Sequence, residues 1–266
     1  SSTGCGRAAL DRVGGREHFQ RMDEQSEDPI AQARRYLTDI VVFEGAKFIV
    51  PAGGQAVEPP VPVAAEVPQP AAVATAAGSE GSAELESFRR QICDCTRCGL
   101  GATRNEFVFG AGNPAAGIVF VGEAPGAEED RRGEPFVGAA GQLLTKIIAA
   151  MGLGRGDVYI CNILKCRPPN NRDPQPDEIA QCEPYLKRQI EIIQPKVICT
   201  LGRFAAQTLL RSGESMGRLR GRAHQYEGIP LVATYHPAAL LRNPQWKRPT
   251  WEDIKKVRAL YDGVAL

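Results

Sequence analysis

Short β-rich runs alternating with helical segments predict an α/β domain, built on a parallel sheet that is covered on both faces. The runs are "GIVFVGE", "DVYICNILK", "KVICTLG" and "IPLVATYHP". Between them lie "GAAGQLLTKIIAAMG", "QPDEIAQCEPYLKRQIEIIQP" and "GRFAAQTLLRSG", with apolar residues at helical spacing and Gly or Pro stops. A third observation concerns polar residues at the run ends: Glu123, Asn162 and His236 each fall at or just past the end of an apolar run. Ligands of such sheets sit beyond the strand C-termini, so these three are expected to share one site.

Along the chain, residues 1–28 are polar and aperiodic and read as a disordered tail. Met22 is a candidate natural start within it. Residues 29–50, "PIAQARRYLTDIVVFEGAKFIV", read as a small amphipathic element that opens with helix-like spacing (Ile30, Ala33, Leu37, Ile40) and ends in β-formers, a cap on some surface or a docking segment for a protein partner. Residues 51–82 read as a semi-extended linker: Pro, Ala and Val fill twenty of the 28 positions from 51 to 78, six of them proline. The folded domain is expected over 83–266, opening with the helical "ELESFRRQICDC".

The formal net charge of +1 conceals an asymmetry. Residues 1–82 carry seven Lys/Arg against eleven Asp/Glu, whereas 202–258 carry eleven against four. A basic C-terminal region suits a polyanion such as nucleic acid, although a solvated charged face would look the same. No apolar run is long enough to span a membrane. The first residues lack the pattern of a secretory signal, so a cytoplasmic protein is expected. Eight cysteines in such a chain point to metal ligation or catalysis rather than a disulfide scaffold.

"CDCTRC" supplies Cys95 and Cys98 two residues apart, and Cys166 in "KCRPP" and Cys182 in "IAQCEPYL" follow at long range. Four thiolates suit either zinc or an iron–sulfur cluster, and one compact pair does not specify zinc. Cys161 and Cys199 fall inside expected strands as core residues, Cys93 is placed too far from Cys98 for a two-residue turn, and Cys5 lies in the tail.

"GEAPGAEEDRRGEPFVGAAGQLL", "CNILKCRPPNNRDPQPDEIAQC", "MGRLRGRAH" and "TYHPAALLRNP", in that order after the paired cysteines, resemble a family 4 (iron–sulfur, thermophile-type) uracil-DNA glycosylase over about residues 85–262. The resemblance implies a three-layer α/β/α domain with a four-stranded parallel sheet. It also implies a structural 4Fe–4S cluster on Cys95, Cys98, Cys166 and Cys182. The implied partner is uracil-containing DNA, single- or double-stranded, met by a monomer at the nucleoid.

Uracil is reached only after its nucleotide is flipped from the stack. The Asn162 amide can accept from N3–H and donate to O4 of uracil, a pattern cytosine cannot match. His236 would donate to O2 as negative charge develops, and Phe136 would stack on the ring. The resemblance further implies that the main chain of Gly122, Glu123 and Ala124 lines the uracil pocket. Related enzymes with a Gly-Gln-Asp-Pro-Tyr motif use the aspartate to orient water and the tyrosine to exclude thymine; here Ala124 and Gly126 stand at those positions. Glu123 is therefore the expected catalytic acid, with Glu129 and Asp130 as alternatives. Arg218, Arg220 and Arg222 alternate along what reads as an extended segment and would grip phosphates as a comb. Leu241 or Arg242 would fill the gap left by the flipped base. Ala238 replaces the serine common after the His-Pro pair, removing a hydroxyl. The rival reading is a cluster-bearing protein that binds uracil-DNA with little or no turnover. Its tight-binding branch carries Gln at position 124 and an Arg-rich insertion near "CRPP", and this chain has neither.

Overall fold

A computed structural model of the chain describes residues 75–264. The expected tail, the 29–50 element and most of the expected linker lie outside the described residues. Helix α1 (Thr75–Ile92) begins inside the stretch read as linker and covers the expected opening helix. The remaining helices are α2 (Ala127–Arg132), α3 (Ala139–Ala150), α4 (Pro176–Ile193), α5 (Arg203–Leu210), α6 (Met216–Leu219), α7 (Pro237–Arg242) and α8 (Lys247–Tyr261).

The expected four-stranded parallel sheet is the centre of a larger, mixed one. Strands β2 (Ile118–Gly122), β3 (Tyr159–Asn162), β4 (Val197–Leu201) and β6 (Ile229–Thr234) run parallel, but β1 (Ala111–Gly112) and β5 (Ala223–Tyr226) add antiparallel edges in the order β1-β3-β2-β4-β6-β5. The edges escape a reading of apolar runs because β1 has only two residues and most of β5 lies open to solvent. Glu227 and Gly228, both at positive φ, make the two-residue turn from β5 to β6.

Strand side chains alternate between two apolar layers. Val119, Val121, Cys161, Ile198 and Leu231 meet Leu85 of α1, Leu186 and Ile190 of α4, and Leu209 of α5. Ile118, Phe120, Ile160, Cys199 and Val232 meet Leu144 and Ile148 of α3 and Ile254 and Val257 of α8. Burying one such side chain stabilises the fold by about 1.5–3 kcal/mol, which explains why the central strands carry almost no polar residue before their last positions. The four parallel strands all end on one edge, at Gly122, Asn162, Leu201 and Thr234. That edge is where an open α/β sheet offers a crevice.

Candidate active site and thiol pocket

Gly122 and Asn162 are partners at the ends of β2 and β3. A Cβ on Gly122 would stand 2.3 Å from Asn162 Oδ1 and 2.7 Å from the Phe136 ring, so only glycine lets both side chains close over this spot. Asn162 is 2% exposed, yet its Oδ1 has no hydrogen-bond partner. Leaving a buried acceptor unsatisfied costs about 1–3 kcal/mol. A donor brought within reach of this oxygen would recover that cost.

Phe136 holds a left-handed backbone, φ 54°, which a bulky residue adopts only when its surroundings force it. Three contacts supply that force. Glu129 Oε1 accepts from the amides of Val137 at 3.0 Å and Gly138 at 2.9 Å. Arg155 donates to the carbonyls of Phe136 at 3.1 Å and Pro135 at 2.8 Å. Gly141 lies so close that any Cβ there would strike the Phe136 carbonyl. The ring is presented 5.5 Å from that of His236, tilted by 33°. Phe136 thus links Asn162, at the end of β3, to His236, just past the end of β6, two strands that β2 and β4 separate.

His236 is the N-cap of α7, and its Nδ1 accepts from the Ala238 amide at 3.1 Å. In the neutral ring the proton is therefore on Nε2, free to donate. Burial lowers the pKa to about 4, helped by Arg242 and opposed by Glu129, so the ring is neutral at pH 7. Ala238 contributes its amide to this arrangement, a role that needs no hydroxyl.

The three candidate acids separate clearly. Glu129 also accepts from Gly126 N at 3.1 Å, so backbone amides at both ends of its loop occupy the carboxylate. Asp130 is buried and accepts from both the backbone and the side-chain amide of Asn105, at 2.9 and 2.6 Å. Glu123 alone has no such anchor among the described hydrogen bonds. Its carbonyl accepts from Leu164 N at 3.0 Å, while its half-buried carboxyl has a pKa raised to about 7, first by burial and then by Asp173, against the pull of Arg203. Ala124 packs against the layer under α4 rather than opening a polar surface.

Cys95, Cys98, Cys166 and Cys182 line one small hollow, together with Leu100, Phe107, Leu164 and Tyr185. Donors reach three of the sulfurs: Tyr185 Oη to Cys95 at 3.2 Å, Arg104 Nη1 to Cys166 at 3.4 Å, and Lys165 N to Cys182 at 3.3 Å. Burial pushes the Cys166 thiol up and that of Cys182 up to about 12, so electron-poor partners are needed to hold them as thiolates. Among the described residues no three Cys, His or acid side chains converge closely enough to cage a single ion. Cys161 and Cys199 lie buried within β3 and β4, and the Cys93 thiol faces the Arg90 carbonyl instead.

The arginine comb does not form. Arg218 lies on α6, and the chain turns at Gly221 before β5 begins, so the three arginines never share an extended segment. Arg220 is bidentate to the fully buried Asp253, at 2.9 and 3.0 Å, bonds the Pro249 carbonyl and packs over Tyr235. Arg222 pairs with Glu214 at 2.7 Å on the surface, and Arg218 is exposed. Leu241, 50% exposed, and Arg242 stand at the free end of α7. Sequence reasoning missed Arg155, Lys165 and Asp253; the only local signal among the clamps is Glu129 as third residue after the Gly126 cap.

Residues 109–255 match the sequence profile described as the Uracil DNA glycosylase superfamily. A type-4 uracil-DNA glycosylase of Archaeoglobus fulgidus is 49% identical over 184 residues, covering 66% of this chain and 92% of the relative. One from Thermotoga maritima is 45% identical over 179 residues, covering 66% and 93%. A type-5 uracil-DNA glycosylase of Pyrobaculum aerophilum is more distant, at 31% over 174 residues, covering 58% and 76%.

Proposed function

The chain belongs to the uracil-DNA glycosylase superfamily, on its type-4 branch, and we propose that it removes uracil from DNA by hydrolysis of the N-glycosidic bond. The observation that carries this is the orphaned Asn162 Oδ1. An everted uracil would donate N3–H to it and accept at O4 from Nδ2, while Phe136 covers one ring face. Cytosine has no proton at N3 and carries a donor at C4, so it would leave both Asn162 groups unmatched. As the C1′–N1 bond breaks, its electron pair moves into the base, and the neutral His236 donates Nε2–H towards O2. Such a fixed donor lowers the barrier by about 3–4 kcal/mol in a water-poor site. Water completes the reaction at C1′ and its second proton leaves to solvent or base. Glu123, the acid without a backbone anchor, orients that water as the carboxylate, and the main chain of Gly122 and Ala124 lines the pocket.

Cys95, Cys98, Cys166 and Cys182 would hold a 4Fe–4S cluster, and their shared hollow with hydrogen-bond donors suits thiolates distributed over several irons. With one protein thiolate per iron, such a cluster would supply structure rather than a substrate site. Its residues tie the segment after α1 to the loop following β3, and hence to Asn162. Leu241 would wedge into the space left by the base, with Arg242, Arg218 and Arg222 on phosphates. We place the protein at the nucleoid as a monomer, with residues 29–50 available for a partner; among the described residues no helix is long and apolar enough to cross a membrane.

Single-turnover reaction with a uracil-containing oligonucleotide tests the reading: free uracil and an alkali-labile abasic strand are expected. A retarded complex that never releases uracil would favour the binding-only rival. The purified holoprotein should contain iron and acid-labile sulfide in equal amounts, and zinc in their place would overturn the cluster assignment.

A further inference from the structure

Lys165 is fully buried, a rare placement for a side chain whose ammonium is strongly hydrated. Its Nζ folds back three residues to donate to the main-chain carbonyl of Asn162 at 2.8 Å, and it also donates to Gln189 Oε1. Gln189 is itself fully buried and fixed by donating to the Phe109 carbonyl at 3.0 Å and contacting Tyr159 Oη at 3.2 Å. None of the hydrogen bonds described for Lys165 involves a carboxylate. The backbone of the same residue is anchored as well: its amide donates to Cys182 Sγ, and its carbonyl accepts from Val108 at 2.9 Å. Lys165 therefore joins α4, the thiol pocket and the C-terminal end of β3 at one point.

The carbonyl it holds belongs to the residue whose side chain is left free. Past Asn162 the strand continues only through Ile163 N to Gly122 O and Leu164 N to Glu123 O, both 3.0 Å; the first holds the N–H edge of the planar Asn162–Ile163 peptide, and Lys165 holds its carbonyl edge. With the carbonyl edge released, that plane could pivot about its one remaining hydrogen bond and swing the Asn162 Cα–Cβ bond and, with it, the amide that must face uracil. From these contacts we infer that Lys165 is a positioning residue for base recognition, holding the Asn162 peptide plane so that its side chain meets the everted base in one orientation. The inference rests on the reading of Asn162 as the base-reading group. A displacement of about 1 Å at such a group is enough to cost about 100-fold in rate.

Lys165→Met keeps the apolar stem and removes both hydrogen bonds. In cluster-loaded full-length protein, normalised to iron content, the single-turnover rate at saturation should fall about 10- to 100-fold, the loss of one or two well-placed interactions. The DNA concentration at half-saturation should stay within about twofold, because a buried side chain cannot touch the duplex. In an Asn162→Ala background the carbonyl remains but there is no amide to aim, so adding Lys165→Met should slow the reaction by no more than about twofold. A wild-type rate in the single variant, or losses that multiply in full in the double variant, overturns the inference. Should Lys165→Met fail to fold or load iron, Gln189→Met tests the same link from its other end: a loss of about 3- to 10-fold with the same non-additivity is expected, and the same two results sink it. Wild-type protein that releases no uracil would instead defeat the reading of Asn162, whatever the variants did.

Discussion

Two clusters of polar side chains sit at the strand ends, and they differ in how much of their bonding capacity is used. Around Asp253 the accounts are closed: both oxygens bond Arg220, one also accepts from Gly221 N at 3.1 Å and the other from Thr234 Oγ1 at 2.9 Å. Around Asn162 they are open, with an orphaned amide oxygen, a histidine whose Nε2 proton is uncommitted, and a strained aromatic. A fully satisfied buried network rigidifies, whereas an unsatisfied one stores a binding preference. The same division separates the acids, Glu129 and Asp130 being spent on backbone and side-chain amides while Glu123 remains available.

If the open cluster is the site, Asn162→Ala gives the largest effect. Excision should drop about 100- to 1,000-fold, as for loss of a preorganised transition-state contact. Duplex affinity should hardly change, and the melting temperature should hold or rise, because an unsatisfied buried group has been removed. A large drop in stability would mean that Asn162 had a partner after all. Next comes Glu129→Ala, which frees the amides of Val137 and Gly138 and lets Phe136 relax from its left-handed backbone; a fall of about 10- to 100-fold in single-turnover rate is expected. Glu129→Gln keeps an oxygen acceptor and should recover much of that loss.

Glu123 offers a pH readout of smaller size. A carboxyl raised to about 7 is mostly protonated at pH 6 and mostly ionised at pH 8. If the carboxylate orients water, the rate should climb by about tenfold over that interval and then level. The sign for stability is opposite: a carboxyl whose folded pKa exceeds its unfolded one favours the native state at low pH, and that contribution is lost as pH rises from 4.5 to about 7. His236, with its pKa near 4, stays neutral throughout and adds no falling limb. Glu123→Gln should abolish the climb, and an unchanged profile would assign it to another group.

The open cluster was the more legible of the two in the sequence. Asn162 and His236 end apolar runs, so local pattern placed both, whereas Phe136 joined them only through the family resemblance. The contacts that close one cluster and clamp the other were invisible because they join residues far apart in the chain: Arg220 reaches Asp253 across 33 residues, and Arg155 reaches Phe136 across 19. Helix α8 was missed for a related reason, since its inward stripe includes Thr250 and Asp253 and reads as polar. Alternating arginines looked like a strand because period two was counted without weighing Leu219, which is buried and closes the short turn of α6.

That misreading supplies the last and smallest test. Had the arginines formed a comb, alanine at 218, 220 and 222 would weaken DNA binding alike. With Arg220 locked on Asp253, Arg220→Ala should instead destabilise the fold by about 3 kcal/mol in urea unfolding, because it strands a buried carboxylate. Its effect on the salt dependence of binding should be close to nil. Arg218→Ala, at an exposed position, should leave unfolding unchanged and reduce the slope of log K against log salt by about one, as for a single lost phosphate contact. Arg222→Ala should fall between the two, since its pairing with the exposed Glu214 competes with phosphate but contributes less than about 1 kcal/mol to stability. Equal salt slopes for all three variants would put the Asp253 pair back among the DNA contacts and erase the division between closed and open clusters.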